Sequence, residues 1–145
     1  VKFIMSAEGQ QILNDEGYIA ADDNAESYTA SGLTGNLSLN GSTSVGPVME
    51  VLAEAYMELN SGVTIDIQQT GSGTGITATI DGSCEIGMSS RELKDEEISE
   101  GLTPVTIALD GIAVIVNQEN TIEDLTSEQI RQIYTGEVTD WSEIG

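Results

Sequence analysis

The chain has no histidine, one cysteine and only four lysines and arginines among 145 residues. Each scarcity excludes something. Without histidine there is no Ser-His-Asp or Cys-His centre, and most zinc sites lose their usual ligand. The lone Cys84 forms no internal disulfide. It lies in the apolar run Cys84-Glu85-Ile86-Gly87-Met88 and reads as a buried, inert thiol. Four cations against 25 acidic residues leave a formal net charge of −21. That excludes nucleic-acid binding through phosphate neutralisation and disfavours anionic membrane surfaces. The long-range field repels anions, so an anion site here must work by short-range hydrogen bonds and local dipoles. No apolar run is long enough to insert stably in a membrane. The chain opens on Val1-Lys2-Phe3 without a recognisable leader and reads as a trimmed piece of something longer.

What is present is an alternation of short strands and helices. A chain of this length forms one domain, or one plus a fragment, and buries roughly 68–70% of its unfolded surface. Ser6 reads as the N-cap of a short helix that Gly17 closes. Residues 20–36 are small, polar and acidic and read as a linker. Asp22 and Asp23 lack the spaced ligands and closing glutamate of a calcium loop, so no metal is expected there. Leu37-Ser38-Leu39 alternates as a strand. Val45, Val48, Leu52, Ala55, Tyr56 and Leu59 then recur at helical spacing, with Ser44 as the expected N-cap and Pro47 in the first turn.

A second such unit comes next. Val63, Ile65 and Ile67 alternate, Thr70-Gly71-Ser72-Gly73-Thr74-Gly75 turns, and Ile76 to Ile80 reads as helix. Ile76 stands where a dinucleotide fingerprint needs glycine, and no Gly-Lys-Ser/Thr makes it a P-loop. Cys84 to Met88 is a third strand, ending in Ser89-Ser90-Arg91, with a short acidic helix over Leu93 to Ile98. The most apolar stretch, Pro104 to Asn117, is expected as two strands or one bulged strand broken at Asp110-Gly111. Thr126 and Gln129 form a capping-box pattern for a last helix, Gly136 stops it, and Trp141 is expected to pack.

This alternation predicts an α/β layered domain, in which ligands sit beyond the carboxyl ends of the strands. Three strand-end turns carry the same chemistry: Ser42-Thr43-Ser44, Gly71-Ser72-Gly73-Thr74 and Ser89-Ser90-Arg91. All offer hydrogen-bond donors, and none has a carboxylate at its centre. Such turns either serve their own helices or converge on an oxyanion. Arg91 is likewise either a surface ion pair with Glu92 or Asp95, or a forked donor to a tetrahedral anion.

The motifs Gly41-Ser42-Thr43-Ser44-Val45, Gly71-Ser72-Gly73-Thr74-Gly75 and Ile86-Gly87-Met88-Ser89-Ser90-Arg91 are similar to those of the phosphate-binding proteins of bacterial ABC importers. Residues 37–117 resemble the first, amino-terminal lobe of that type II solute-binding fold. Leu125 to Tyr134, Gly136 and Trp141 resemble the opening of its second lobe, so 118–145 reads as that start or a crossover. Residues 1–19, with Glu8-Gly9-Gln10 and Gly17-Tyr18-Ile19, resemble the family's carboxyl-terminal helix, yet stand first. That implies either a boundary between tandem copies or a permuted order, and a linker over 20–36 spanning roughly 20–25 Å lets the helix dock on the same lobe.

The resemblance implies a three-layer lobe with a mixed, mostly parallel sheet flanked by helices. It implies phosphate as ligand, importer membrane subunits as partners, an extracytoplasmic location, no cofactor and no catalysis. Carried over by motif, Ser42, Thr43, Ser44, Ser72, Gly73 and Ser90 would hold phosphate, with Arg91 nearby. Many relatives have aspartate at the position of Ser90. The second lobe's own donors are not found in this sequence, so a half site with weak or no binding is implied. An interaction module with an unused anion site is the alternative. A hydrolase is disfavoured by the absence of histidine and of a Gly-x-Ser-x-Gly elbow.

Overall fold

A computed structural model describes residues 1–144 of the chain. Two compact units divide at Gly111 and Ile112. The first is built on β2 (Thr34–Gly41), α2 (Gly46–Leu59), β3 (Gly62–Gln69), α3 (Ser72–Ile80) and β4 (Ile86–Met88). The three strands are parallel, in the order β3-β2-β4. The two crossovers run in opposite directions across the sheet. Because such crossovers are right-handed, α2 and α3 cover opposite faces. This is the α/β lobe expected from the alternation. The antiparallel component is a separate two-stranded ladder of β1 (Ile19–Ala20) and β5 (Ala108–Leu109), in register Ile19 to Leu109.

The core lies between the sheet and α2. Leu39 and Met88 from the strands meet Val48, Met49 and Leu52 from the helix. The leading segment contributes Phe3, Ile4 and Leu13 to the same cluster. Phe3, Tyr28 and Tyr56 form an aromatic trio with ring centroids 5.3 to 5.9 Å apart. Helix α1 (Ala7–Asp15) starts at Ser6, whose hydroxyl accepts the Gly9 N–H, and Gly17 lies just beyond its end at φ +88°. Residues 21–33 form no helix or strand, but they are tied down. Tyr28 N–H donates to Glu8 at 2.7 Å and Ala7 N–H to the Glu26 carbonyl at 2.9 Å. Cys84 is buried as expected.

Several local expectations change. Strand β2 starts at Thr34, because its ladder with β3 begins with Thr34 opposite Gly62. Helix α3 starts at Ser72, so Ser72-Gly73-Thr74 are its first turn and not a loop before it. The acidic helix α4 is confined to Asp95–Ser99. The apolar stretch 105–116 yields only β5. Ile112 to Val116 carry no strand, and Ile112 and Ile115 are 95% and 88% exposed. A strand needs a neighbour for its ladder, and among the described residues this segment has none.

In the second unit, α5 (Ser127–Thr135) has the predicted capping box. Thr126 Oγ1 accepts the Gln129 N–H, and Gln129 Oε1 accepts the Thr126 N–H. Gly136 ends it in the left-handed conformation, at φ +75°. Trp141, expected to pack, is 45% exposed in a single 3-10 turn.

Candidate functional site

Parallel strands all end at one edge of their sheet, and the register makes these three end level. Gly41 of β2 is opposite Gln69 of β3 on one side and Met88 of β4 on the other. The turns beyond them therefore leave adjacent strands, each about 5 Å from its neighbour. Backbone bonds lock the three together. Ser42 N–H donates to the Met88 carbonyl at 2.9 Å, and the N–H groups of Thr70 and Gly71 donate to the Gly41 carbonyl at 2.9 and 2.8 Å. Gly41 sits at φ +147°, and a Cβ there would collide with the Met88 backbone. A Cβ on Gly75 would collide with the Asn40 carbonyl, so glycine at 75 lets α3 lie directly on β2.

Ser42 is buried, and its Oγ accepts the N–H groups of Ser44 at 3.2 Å and Val45 at 3.3 Å. The cap residue of α2 is Val45, without a side-chain bond of its own. Ser44 is therefore not the cap it was expected to be: Ser42 Oγ closes the turn that precedes the helix, and α2 itself has no side-chain cap. A serine hydroxyl that accepts two bonds still has its own proton to donate. Thr43 and Ser44 are exposed on the turn, and the Ser44 carbonyl accepts the Tyr18 hydroxyl at 3.1 Å.

The cap position of α3 is Gly71, which has no side chain to cap the helix. Gly75 N–H is the first to bond back, to the Gly71 carbonyl at 3.1 Å. Among the described residues, the N–H groups of Ser72, Gly73 and Thr74 have no acceptor. They form the positive end of the helix dipole at the strand-end edge. Ser72 Oγ lies 3.3 Å from Ser90 Oγ and accepts the Ser90 N–H at 3.2 Å. The second and third turns are therefore in direct contact, and the first is joined to both by backbone.

Arg91 resolves differently from either expected partner. Its guanidinium forms a forked pair with Glu97, at 2.9 and 2.7 Å, and also donates to the Glu92 carbonyl at 2.8 Å. The guanidinium, helped by the Lys94 N–H, pulls the Glu97 carboxyl down to about 2. Neither the Glu92 nor the Asp95 carboxylate takes the fork.

Sequence reasoning missed Tyr18, whose contact with the first turn spans 26 positions and leaves no local signal. It also missed Asn40, whose Oδ1 accepts the Thr70 hydroxyl at 2.5 Å. Its position just before Gly41 was the available signal. A cavity of about 550 Å³ opens elsewhere in this unit, lined by Phe3, Tyr28, Leu37, Leu52 and Tyr56 among others. None of the three turns lines it, and its apolar wall suits no small anion. Among the described residues no cluster of three or more His, Cys, Asp or Glu could hold a metal, and no helix is long and apolar enough to cross a membrane.

A family model described as a PBP superfamily domain matches residues 26–145. A phosphate-binding protein PstS 2 of Streptococcus agalactiae is 46% identical over 144 residues, 99% of this chain and 49% of that protein. The crystal structure of a phosphate-binding protein of a phosphate ABC transporter from Streptococcus pneumoniae aligns with a TM-score of 0.92 at 45% identity. That alignment covers 99% of this chain and 56% of the other. A putative phosphate ABC transporter substrate-binding protein from Clostridium perfringens, solved with bound phosphate, is 51% identical with a TM-score of 0.64. It covers 77% of this chain, which covers 46% of it. The chain spans about half the length of the curated relatives it matches. With a parallel α/β lobe, three joined strand-end turns and a family model matched from residue 26 to 145, this chain belongs to the PBP superfamily.

Proposed function

We propose that this chain supplies one wall of an inorganic phosphate site in the extracytoplasmic binding component of an ABC importer, and that it does no chemistry. One observation carries the reading. The unpartnered N–H groups at the start of α3 share a sheet edge with the hydroxyls of Ser42, Ser72 and Ser90. These are neutral donors, which a chain of net charge −21 needs if it is to hold an anion at all. In this reading Ser42, Thr43 and Ser44 donate from the first turn, Ser72 and Gly73 from the second, and Ser90 from the third. Arg91, closed on Glu97, is a charge beside the site and not a ligand. The names of the streptococcal and clostridial relatives support phosphate over other oxyanions.

The remaining length of those relatives would supply the opposing wall and the contacts with importer membrane subunits. Residues 1–19 would be the lobe's closing helix placed first, 37–117 the lobe and 118–145 the approach to a second lobe. A match over 99% of this chain takes in the leading helix together with the lobe, which supports that order as a shared one.

The test is a titration of backbone amide shifts with inorganic phosphate at constant ionic strength. Saturating shifts are expected at Ser42–Ser44, Ser72–Thr74 and Ser90, with a dissociation constant on the order of millimolar because a single wall leaves the ion largely in water. Micromolar affinity, or shifts elsewhere, would contradict a half site. A second reading, an interaction module whose anion site is unused, has one observation in its favour. Ser42, Ser72 and Ser90 already bond within the protein. It expects no saturating shifts at the three turns and no phosphate-dependent rise in melting temperature, in the intact chain and in Thr43→Ala and Ser72→Ala alike.

A further inference from the structure

Ser90 is set between two fastenings. On one side it meets Ser72. On the other, Ser89 Oγ donates to the Arg91 carbonyl at 2.7 Å and accepts the Arg91 N–H at 3.2 Å. Arg91 is held in turn by Glu97, both of whose oxygens are engaged. Glu97 Oε2 also accepts the Lys94 N–H at 2.8 Å, which fixes the carboxylate to the start of α4. The Glu97 side chain is 16% exposed and that of Arg91 39%. A cation one residue from the proposed anion site is thus neutralised by a carboxylate that the next helix holds in place.

We propose that the Arg91–Glu97 pair is a charge clamp that sets the anion selectivity of the strand-end site, Glu97 being the positioning residue that withholds the guanidinium. The inference rests on the oxyanion reading above. A free guanidinium would reward total negative charge and favour a fully ionised dianion such as sulfate. Serine hydroxyls accept as well as donate, whereas a guanidinium only donates. With Arg91 withheld, an anion that still carries a proton has acceptors for it in the Ser72 and Ser90 hydroxyls, while Ser42, whose Oγ already accepts two N–H groups, only donates. Phosphate at neutral pH has such a proton, and sulfate has none.

Glu97→Gln removes the charge and keeps an amide oxygen for the Lys94 N–H, so α4 retains its cap. The intact chain, this variant and the double variant Arg91→Gln, Glu97→Gln are titrated separately with inorganic phosphate and with sulfate at one ionic strength. The readouts are the amides of the three turns and the Arg91 Nε–H resonance. Glu97→Gln is expected to shift the Arg91 resonance and tighten sulfate about tenfold, phosphate less, narrowing the preference for phosphate. The double variant is expected to restore the original preference. A purely structural role for Glu97 would weaken both anions alike. A responsive wild type with the same phosphate-to-sulfate ratio in Glu97→Gln overturns the clamp and leaves the anion site standing. A wild type silent to both anions overturns the site itself, and the clamp with it.

Discussion

Gln10 is buried and uses its whole amide. Its Nε2 donates to the carbonyls of Ile4 at 2.9 Å and Ile107 at 3.1 Å, and its Oε1 accepts the N–H groups of Ala21 at 2.7 Å and Asp22 at 3.1 Å. One side chain thereby joins the leading turn, the exit of β1 and the start of β5. Gln10→Ala would leave those buried groups without partners, and should cost about 2–4 kcal/mol, read as a lower urea midpoint. A change near zero would mean that water replaces all four bonds. The sequence marks Gln10 only as a helix residue. Its partners are up to 97 positions away, so no local pattern announces them. Ser42 shows the same limit at shorter range. A run of three hydroxyls was visible, but that Ser42 closes the preceding turn and none of the three caps α2 depends on where the turn ends and the helix begins.

At the scale of elements, α3 carries the sharpest prediction. Ser72 is its first residue, where a negative side chain stabilises a helix dipole by about 0.3–1 kcal/mol. Ser72→Asp is therefore expected to hold or raise the melting temperature while abolishing the phosphate-induced shifts, because the carboxylate occupies and repels where the anion would sit. Loss of both stability and binding would show that Ser72 matters only as packing. Helix and strand periodicity made α2 and β3 legible, and Thr126 with Gln129 located α5. The segment Ile112–Val116 was apolar enough to read as a strand, yet it is exposed and unpaired. Periodicity and propensity describe what a segment can form, while a strand also requires a partner at the right distance.

For the molecule as a whole, the charge of −21 makes an unusual salt dependence the expected one. In a basic site, salt competes with the ligand and weakens binding. Here the long-range field opposes phosphate, and the proposed donors are neutral. Raising sodium chloride from about 20 to about 200 mM should shorten the screening length to below about 10 Å and tighten phosphate binding. The same change should raise the melting temperature, since self-repulsion is screened too. Binding that weakens with salt would mean a cation, Arg91 foremost, carries the affinity.

Composition and periodicity alone determined that this protein is an acidic α/β molecule without histidine chemistry, and that three donor-rich turns come after three strands. Both are properties of neighbouring residues and of summed charge, which a linear chain displays directly. Only the tertiary structure decided that the turns leave one edge together, that α3 presents its first N–H groups there, and that Glu97 holds the Arg91 fork. Those facts depend on parallel register and on contacts between distant segments, whose energies exist only once the backbone has brought them within hydrogen-bonding distance.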